Sequence, residues 1–383
     1  MAEERAFWVA WSQITGIGPI LLRRLHQHFE TLEAAWTASP EELQCVEGFG
    51  WQTIETITNA RSQVNPAVLL QQHEQDNPYF WTPADAGYPH LLLEIADPPA
   101  VVYYHGAVDP GETQGITPTV AIVGTRSPSE YGKRWTRKLT LALAQAGFTI
   151  VSGLADGIDT IAHQACLEVG GRTIAVLGTG VDVVYPWRNR ELAKQIPHQG
   201  LLLSEYPAGT QPDRVHFPRR NRIIAGLSRV TLVLEAPERS GALITARLAN
   251  DYGREVYALP ASLDNPRGRG CLDLLSQGAG MILGEAELLE TLASLPQFIQ
   301  PNRSSDQLSL LDLQPQQHSA PKPPLQLDPA LQQVLQAISP EPISFDRVVQ
   351  QAGLATATVS SALAQLELME LVTQLPGMRY QKT

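Results

Sequence analysis

The sequence predicts an α/β protein built around a mostly parallel sheet, and three observations carry that expectation. From residue 120 to 283, short continuous apolar runs alternate with amphipathic segments, which is the texture of strands buried on both faces and joined by crossover helices. Several of these runs end in glycine and hydroxyl residues placed just before a helix. Charge is also partitioned. The chain carries −11 overall, yet residues 116–291 hold 19 Lys and Arg against 17 Asp and Glu, so the acidity belongs to the flanks.

A chain of 383 residues exceeds what one ordinary core serves. The expected divisions are a helical domain over 1–66, the α/β core over 79–295, a flexible linker over 296–324 and a further small domain over 325–383. No apolar run reaches the roughly 18 residues of a membrane span, and the start Met-Ala-Glu-Glu-Arg is not a basic-then-apolar leader, so a cytoplasmic location is expected. Cys45, Cys166 and Cys271 lie far apart with no CxxC and no His-Cys cluster, which argues against zinc and against a disulfide framework. Neither a metal nor a cofactor is expected.

In chain order, Ile14-Thr-Gly-Ile-Gly-Pro19 and Val46-Glu-Gly-Phe-Gly-Trp51 each set Gly-x-Gly before an amphipathic helix, with Pro19 suited to a first turn. Such pairs resemble helix-hairpin-helix or sterile-alpha-motif folds. In the first, hairpin amides can hold a DNA phosphate, here with Arg23 and Arg24 nearby; the alternative is a small helical packing or interaction domain. The acidic surroundings favour packing. A short strand is expected at 79–82, then core strands at 120–123, 149–152, 173–177, 201–205, 231–235, 255–259 and 281–283. Helices are expected at 133–146, 158–169, 188–196, 219–225, 243–252 and 271–277.

The first core strand runs into a donor-rich loop, Val120-Ala-Ile-Val-Gly-Thr-Arg-Ser-Pro-Ser-Glu-Tyr-Gly132. Gly124 permits a sharp turn, and Thr125, Arg126, Ser127, Ser129 and the free amides of the next helix all face an anion placed there. Taken alone, the loop reads more readily as a turn with a solvated charge than as an anion site. Comparable starts recur at Ser152-Gly153, Gly178-Thr-Gly180 and Ser240-Gly241, all at carboxyl ends of strands, where such sheets bind ligands. No Gly-x-Gly-x-x-Gly follows the first core strand and no Walker lysine is present, which excludes NAD and ATP as first choices. Asp159 and His163 share a helix face. They could form a metal or acid-base set, but the expectation is an N-cap at Asp156 and a buried Asp159–His163 hydrogen bond.

Arg214, Arg219, Arg220 and Arg222 fall within nine residues around Phe217 and Asn221. With Phe217 on a loop before the helix, an aromatic flanked by guanidinium groups suits a single nucleic-acid strand, whose unpaired bases stack. The competing reading makes Phe217 a core plug and pairs arginines with Asp213 or Glu235.

Segments 120–132, 151–163, 217–228 and 240–246, with Tyr88-Pro through Asp97-Pro-Pro to Gly106, together resemble the DNA-processing protein A (DprA/Smf) family over residues 79–283. That resemblance implies an extended Rossmann fold without nucleotide chemistry. It also implies single-stranded DNA binding, a homodimer, and protection and loading of DNA onto a RecA-type recombinase in natural transformation. Motif by motif, it implies that Arg126 and Arg214 contact DNA and that Phe217 stacks a base. Arg219, Arg220, Arg222, Gly124, Ser127, Ser152, Gly153, Ser240 and Gly241 complete the expected DNA-binding set. Ala261 and Leu272 depart from the family pattern, which commonly has Gly and Asn there. The rival expectation is a Rossmann-like enzyme acting on a nucleotide or nucleotide sugar, with Glu235 or Asp156 as its carboxylate.

The Pro, Gln and Ser-rich linker contains Gln307-Leu-Ser-Leu-Leu311, similar to the short motif by which bacterial proteins bind the sliding clamp. Helices at 330–338, 344–351 and 357–369 and a closing hairpin outline a winged helix. Its recognition helix carries Glu367 and no Lys or Arg, so a protein-contact or accessory role is expected rather than duplex binding.

Overall fold

A computed structural model describes residues 2–295, 329–338, 343–368, 371–375 and 379–382. The chain divides into two compact units, Met1–Asn302 and Arg303–Thr383. The first holds, among the described residues, a nine-stranded sheet: β1 (Phe80–Trp81), β2 (Val102–Gly106), β3 (Thr119–Val123), β4 (Thr149–Ser152), β5 (Thr173–Leu177), β6 (Gly200–Ser204), β7 (Val230–Val233), β8 (Glu255–Ala258) and β9 (Gly280–Met281). Their order is β1-β2-β6-β5-β4-β3-β7-β8-β9. β3 to β9 run parallel, and β1 and β2 add an antiparallel edge.

This order places the site. The chain winds outward from β3 through β6, then returns to lay β7 against the other side of β3, with Val123 level with Val233. β3 and β7 therefore flank the topological switch point, where loops leaving neighbouring parallel strands diverge and leave a crevice. Alternation along β3 builds both layers. Ala121 and Val123 join Ile223, Ile224, Leu243, Ala246 and Cys271 on one face, while Val120 and Ile122 join Leu139, Leu143, Ile158 and Cys166 on the other.

The core strands and helices lie within a few residues of their expected positions. The consequential shift is at the arginine cluster, where the helix begins at His216 rather than at 219, because the Asp213 carboxylate and carbonyl accept from the Val215 and His216 amides. Phe217 therefore sits in a helical first turn, not on the loop before it.

The helices before residue 64 share one apolar core with Phe80, Val101 and Tyr103 of the sheet's edge. A further helix, Pro66–Asp76, occupies the interval between the two expected divisions, capped by Asn65. Arg23 donates to the Ile95 carbonyl at 2.7 Å and Arg24 to the Glu47 carbonyl at 2.9 Å, so both side chains serve packing. In the second unit, helices Pro329–Gln336, Phe345–Ala352 and Thr356–Leu368 enclose an apolar cluster with a small sheet of β10 (Ile343–Ser344), β11 (Val372–Leu375) and β12 (Arg379–Lys382) in the order β10-β12-β11. This is a winged-helix arrangement. The linker and its segment Gln307 to Leu311 lie outside the described residues. Among the described residues no helix is long and apolar enough to cross a membrane.

Candidate nucleic-acid interface

The loop after β3 is shaped by what surrounds Gly124. A Cβ there would lie 2.5 Å from Ile158 Cγ1 and 2.9 Å from the Glu235 carbonyl, so the turn admits only glycine. Glu235 then fastens the loop at both ends. Its carbonyl accepts from the Thr125 amide at 2.7 Å, and its carboxylate, 2% exposed, accepts from the Ser129 amide and hydroxyl at 2.7 Å each and from Asn265 at 3.1 Å. Ser129 also caps the helix Glu130–Gln145 by accepting from the Gly132 amide. Between these fixed points Arg126 and Ser127 stand exposed.

Across the crevice, Phe217 lies against Gly178, where a Cβ would come within 3.0 Å of its ring. The Arg126 guanidinium sits 5.7 Å from the Phe217 ring centroid, and the Tyr185 ring meets Phe217 at 5.3 Å. A cavity of about 690 Å³ opens here, lined among others by Thr125, Arg126, Arg214, Phe217, Arg239 and Ser240. The Ser240 hydroxyl caps the helix Gly241–Asp251 by accepting from the Ala242 amide at 3.3 Å, and Gly241, also at the cavity, accepts from the Asn221 side chain.

The other expected residues divide sharply. Arg220, 4% exposed, donates to the Gly153 and Val176 carbonyls beneath the cavity. Gly153 is pressed between it and Asp159, whose carboxylate accepts from the Gly153 amide at 3.0 Å and from the Ala155 amide. Arg222 is buried in an ion pair with Glu205 and lies beside Asp97, so the expected partners Asp213 and Glu235 are replaced by these two. Arg220 and Arg222 are thus not solvent-facing groups. Ser152 is fully buried, donates to the Ile122 carbonyl at 2.6 Å and is not among the cavity-lining residues, so its hydroxyl joins strands rather than facing a ligand. Arg219 is exposed but borders a separate cavity of about 660 Å³ with Tyr206 and Pro19.

The expected Asp159–His163 hydrogen bond is absent. Asp159 turns to backbone amides, and His163 Nδ1 bonds the Thr173 hydroxyl at 2.7 Å. Asp156 is not an N-cap either, because Gly157, at φ 83°, takes that position, and Asp156 lies 3.3 Å from Arg188. Burial pushes the Asp159 carboxyl up to about 6, against the pull of Arg220 and its amide donors. Burial, helped by Arg220, pushes the His163 imidazole down to about 3. Burial also lowers the Arg220 guanidinium to about 10, with Asp159 opposing and Arg126 adding to the shift. No group of His, Cys, Asp and Glu suited to a metal occurs among the described residues. Reading the residues alone missed Arg239 and Tyr185. Arg239 lies in the same glycine and hydroxyl stretch as Ser240, which was the available signal, whereas nothing local marks Tyr185.

The family model described as DNA recombination-mediator protein A matches residues 79–293, and a DprA winged helix domain matches residues 318–378. The chain is 51% identical to Protein Smf of Synechocystis sp., covering 99% of each chain. Its fold is similar to the X-ray structure of DNA processing protein A from Streptococcus pneumoniae, with a TM-score of 0.63 and 35% identity, covering 74% of this chain and 95% of that one. It is also similar to DNA processing protein A from Helicobacter pylori, with a TM-score of 0.50 and 34% identity, covering 56% of this chain and 95% of that one, a structure described in terms of a unique single-stranded DNA binding mode. On these grounds the chain belongs to the DNA recombination-mediator protein A family.

Proposed function

We propose that this protein binds single-stranded DNA in the crevice between the β3 and β7 loops, acting in the cytoplasm without catalysis. As a homodimer it would protect incoming strands and present them to a RecA-type recombinase in natural transformation. The observation that carries the reading is the pairing of Arg126 with Phe217 at 5.7 Å on a cavity that Arg214 and Arg239 also line. Guanidinium groups beside a recessed aromatic bind phosphates and stack a base together. Only an unpaired base reaches such a ring, which favours single strands over duplex. In this mechanism Arg126 and Arg214 hold phosphates, Phe217 carries a base, and Glu235 and Arg220 keep the two walls in place.

Non-catalytic action is supported by the carboxylates. Glu235 is occupied by Ser129 and Asn265, and Asp156 lies against Arg188. A nucleotide-directed enzyme has one observation in its favour: Asp159 lines the cavity with its carboxyl raised to about 6. Incubation with nucleoside monophosphates tests it, since an enzyme would release base or phosphate in an Asp159-dependent way.

The binding test is a titration of labelled single- and double-stranded oligonucleotides at several salt concentrations. Single strands are expected to bind more tightly. Arg126→Ala and Arg214→Ala are each expected to weaken binding and to flatten the dependence of log K on log salt by about 0.7, the loss of one phosphate contact on a single strand. Equal affinity for duplex, or variants that bind like wild type, would overturn the assignment.

A further inference from the structure

Beyond the cavity, the segment that follows β5 carries an exposed aromatic that no core claims. Trp187 is 71% exposed, and its ring contact is with the Arg190 guanidinium, 4.9 Å from the centroid. It opens the short 3-10 turn Trp187–Asn189, and that turn is anchored from below. Asn189, buried, donates to the Leu154 carbonyl at 2.9 Å and to the Thr160 hydroxyl at 2.8 Å. The ring is therefore presented outward on a fixed support, so little order has to be imposed on the backbone when a ligand covers it.

Its position relates it to the crevice. Tyr185, two residues earlier and 43% exposed, lines the main cavity and touches Phe217. A small cleft bounded by Arg126, Asp156, Tyr185, Pro186 and Phe217 joins the same loops. Phe217 and Tyr185 thus line the cavity, while Trp187, two residues on in the chain, does not line it and stands exposed. The charges around Trp187 suit a phosphate backbone. The Arg188 side chain is 77% exposed beside Asp156, and Arg190 and Lys194 share Glu191, leaving the patch with a net positive charge. Trp51, the other tryptophan left equally bare, has Glu47 and Glu55 as its charged sequence neighbours and lacks this complementarity.

We propose that Trp187 is a second base-stacking platform, taking the next exposed base of the strand whose first base lies on Phe217, with Arg188 on the phosphate between or beyond them. The inference rests on the single-strand reading above and extends it by a site outside the cavity. Aromatic stacking of this kind tolerates any base, so the platform lengthens the footprint without adding sequence preference.

The test measures dissociation constants of the full chain for deoxythymidine oligomers of increasing length, for wild type, Trp187→Ala, Trp187→Phe and Arg126→Ala. Trp187→Ala is expected to weaken the longer oligomers about tenfold while leaving the shortest oligomer that still binds unchanged. Trp187→Phe is expected to keep the longer footprint, and Arg126→Ala to weaken every length. Wild-type-like binding by Trp187→Ala at all lengths, with Arg126→Ala still weakened, overturns the platform and leaves the crevice standing. An equal loss at every length also overturns it, because Trp187 would then act on the cavity or the fold. Absence of single-strand binding by wild type overturns both.

Discussion

At Arg220 a guanidinium 4% exposed donates to the carbonyls of Gly153 and Val176 beside Asp159, whereas the Arg126 side chain stands exposed a few ångströms from Phe217. The two arginines predict opposite phenotypes. Arg220→Met removes a buried charge from its partners and is expected to destabilise the fold by about 3–5 kcal/mol in urea denaturation. Arg126→Ala is expected to change stability by no more than about 0.5 kcal/mol while weakening DNA binding. Asp159 and His163 set a pH dependence of opposing signs. The Asp159 carboxyl, raised from 3.8 to about 6 by burial, contributes stability that is present below pH 3.8 and lost as pH rises through 6. The His163 imidazole, lowered from 6.5 to about 3, contributes stability that is present above pH 6.5 and lost as pH falls toward 3. Between about pH 4 and 6 the two offset each other. Asp159→Asn is therefore expected to expose the histidine alone, with stability falling as pH drops from 6.5 to 4 at a limiting slope of about 1.4 kcal/mol per pH unit. Urea midpoints across that range check it; a variant as flat as wild type would refute the offset.

At the scale of elements, the loop after β3 owes its shape to a residue of the neighbouring strand's exit. Glu235 accepts from Ser129 and Asn265 and, through its carbonyl, from Thr125. It is a positioning residue for Arg126. Glu235→Ala leaves the Ser129 amide and the Asn265 side-chain NH2 without the acceptor they share, a loss of about 1–3 kcal/mol. It is expected to weaken single-strand binding as well, with faster amide hydrogen exchange at Ser129; Glu235→Gln should fall between it and wild type. The glycine and hydroxyl clusters at strand ends were legible in the sequence as helix starts, and Ser129 and Ser240 cap helices as such residues do. Their tasks were not legible. Ser152 belongs to the same pattern, yet lies inside the sheet bonded to Ile122, because direction along a chain does not reveal which side chains the neighbouring strand covers. The departure at Ala261 is a packing matter: its methyl group faces Gly268, where a Cβ would come within 2.2 Å.

For the whole molecule, Arg126, Arg214 and Arg239, which line the candidate crevice, all belong to the first unit, so DNA contact is expected there. The helix Thr356–Leu368 of the second unit contains no Lys or Arg, so it contributes no phosphate neutralisation. A chain ending at Leu295 is accordingly expected to keep the single-strand affinity and salt slope of the full protein, measured by the same titration. A large drop in slope would place DNA contacts in the second unit instead. The N-terminal helices share the core that contains Phe80 and Tyr103, so removing residues 1–66 is expected to expose that apolar surface and cause aggregation rather than leave a stable remainder.

The sequence by itself determined the alternation of strands and helices, the glycine turn at Gly124, the winged-helix outline and the candidacy of Arg126, Arg214 and Phe217, because periodicity, turn chemistry and residue type are local properties. Which arginines face solvent was decided only by the tertiary structure. Arg219, Arg220 and Arg222 fall within a single turn of one helix, and their fates separate because that turn faces β5 on one side and Glu205 and Asp97 on another. The tertiary structure also revealed Glu235 as the fastening of the Arg126 loop and set Trp187 outside the crevice, since both depend on partners far away in the chain.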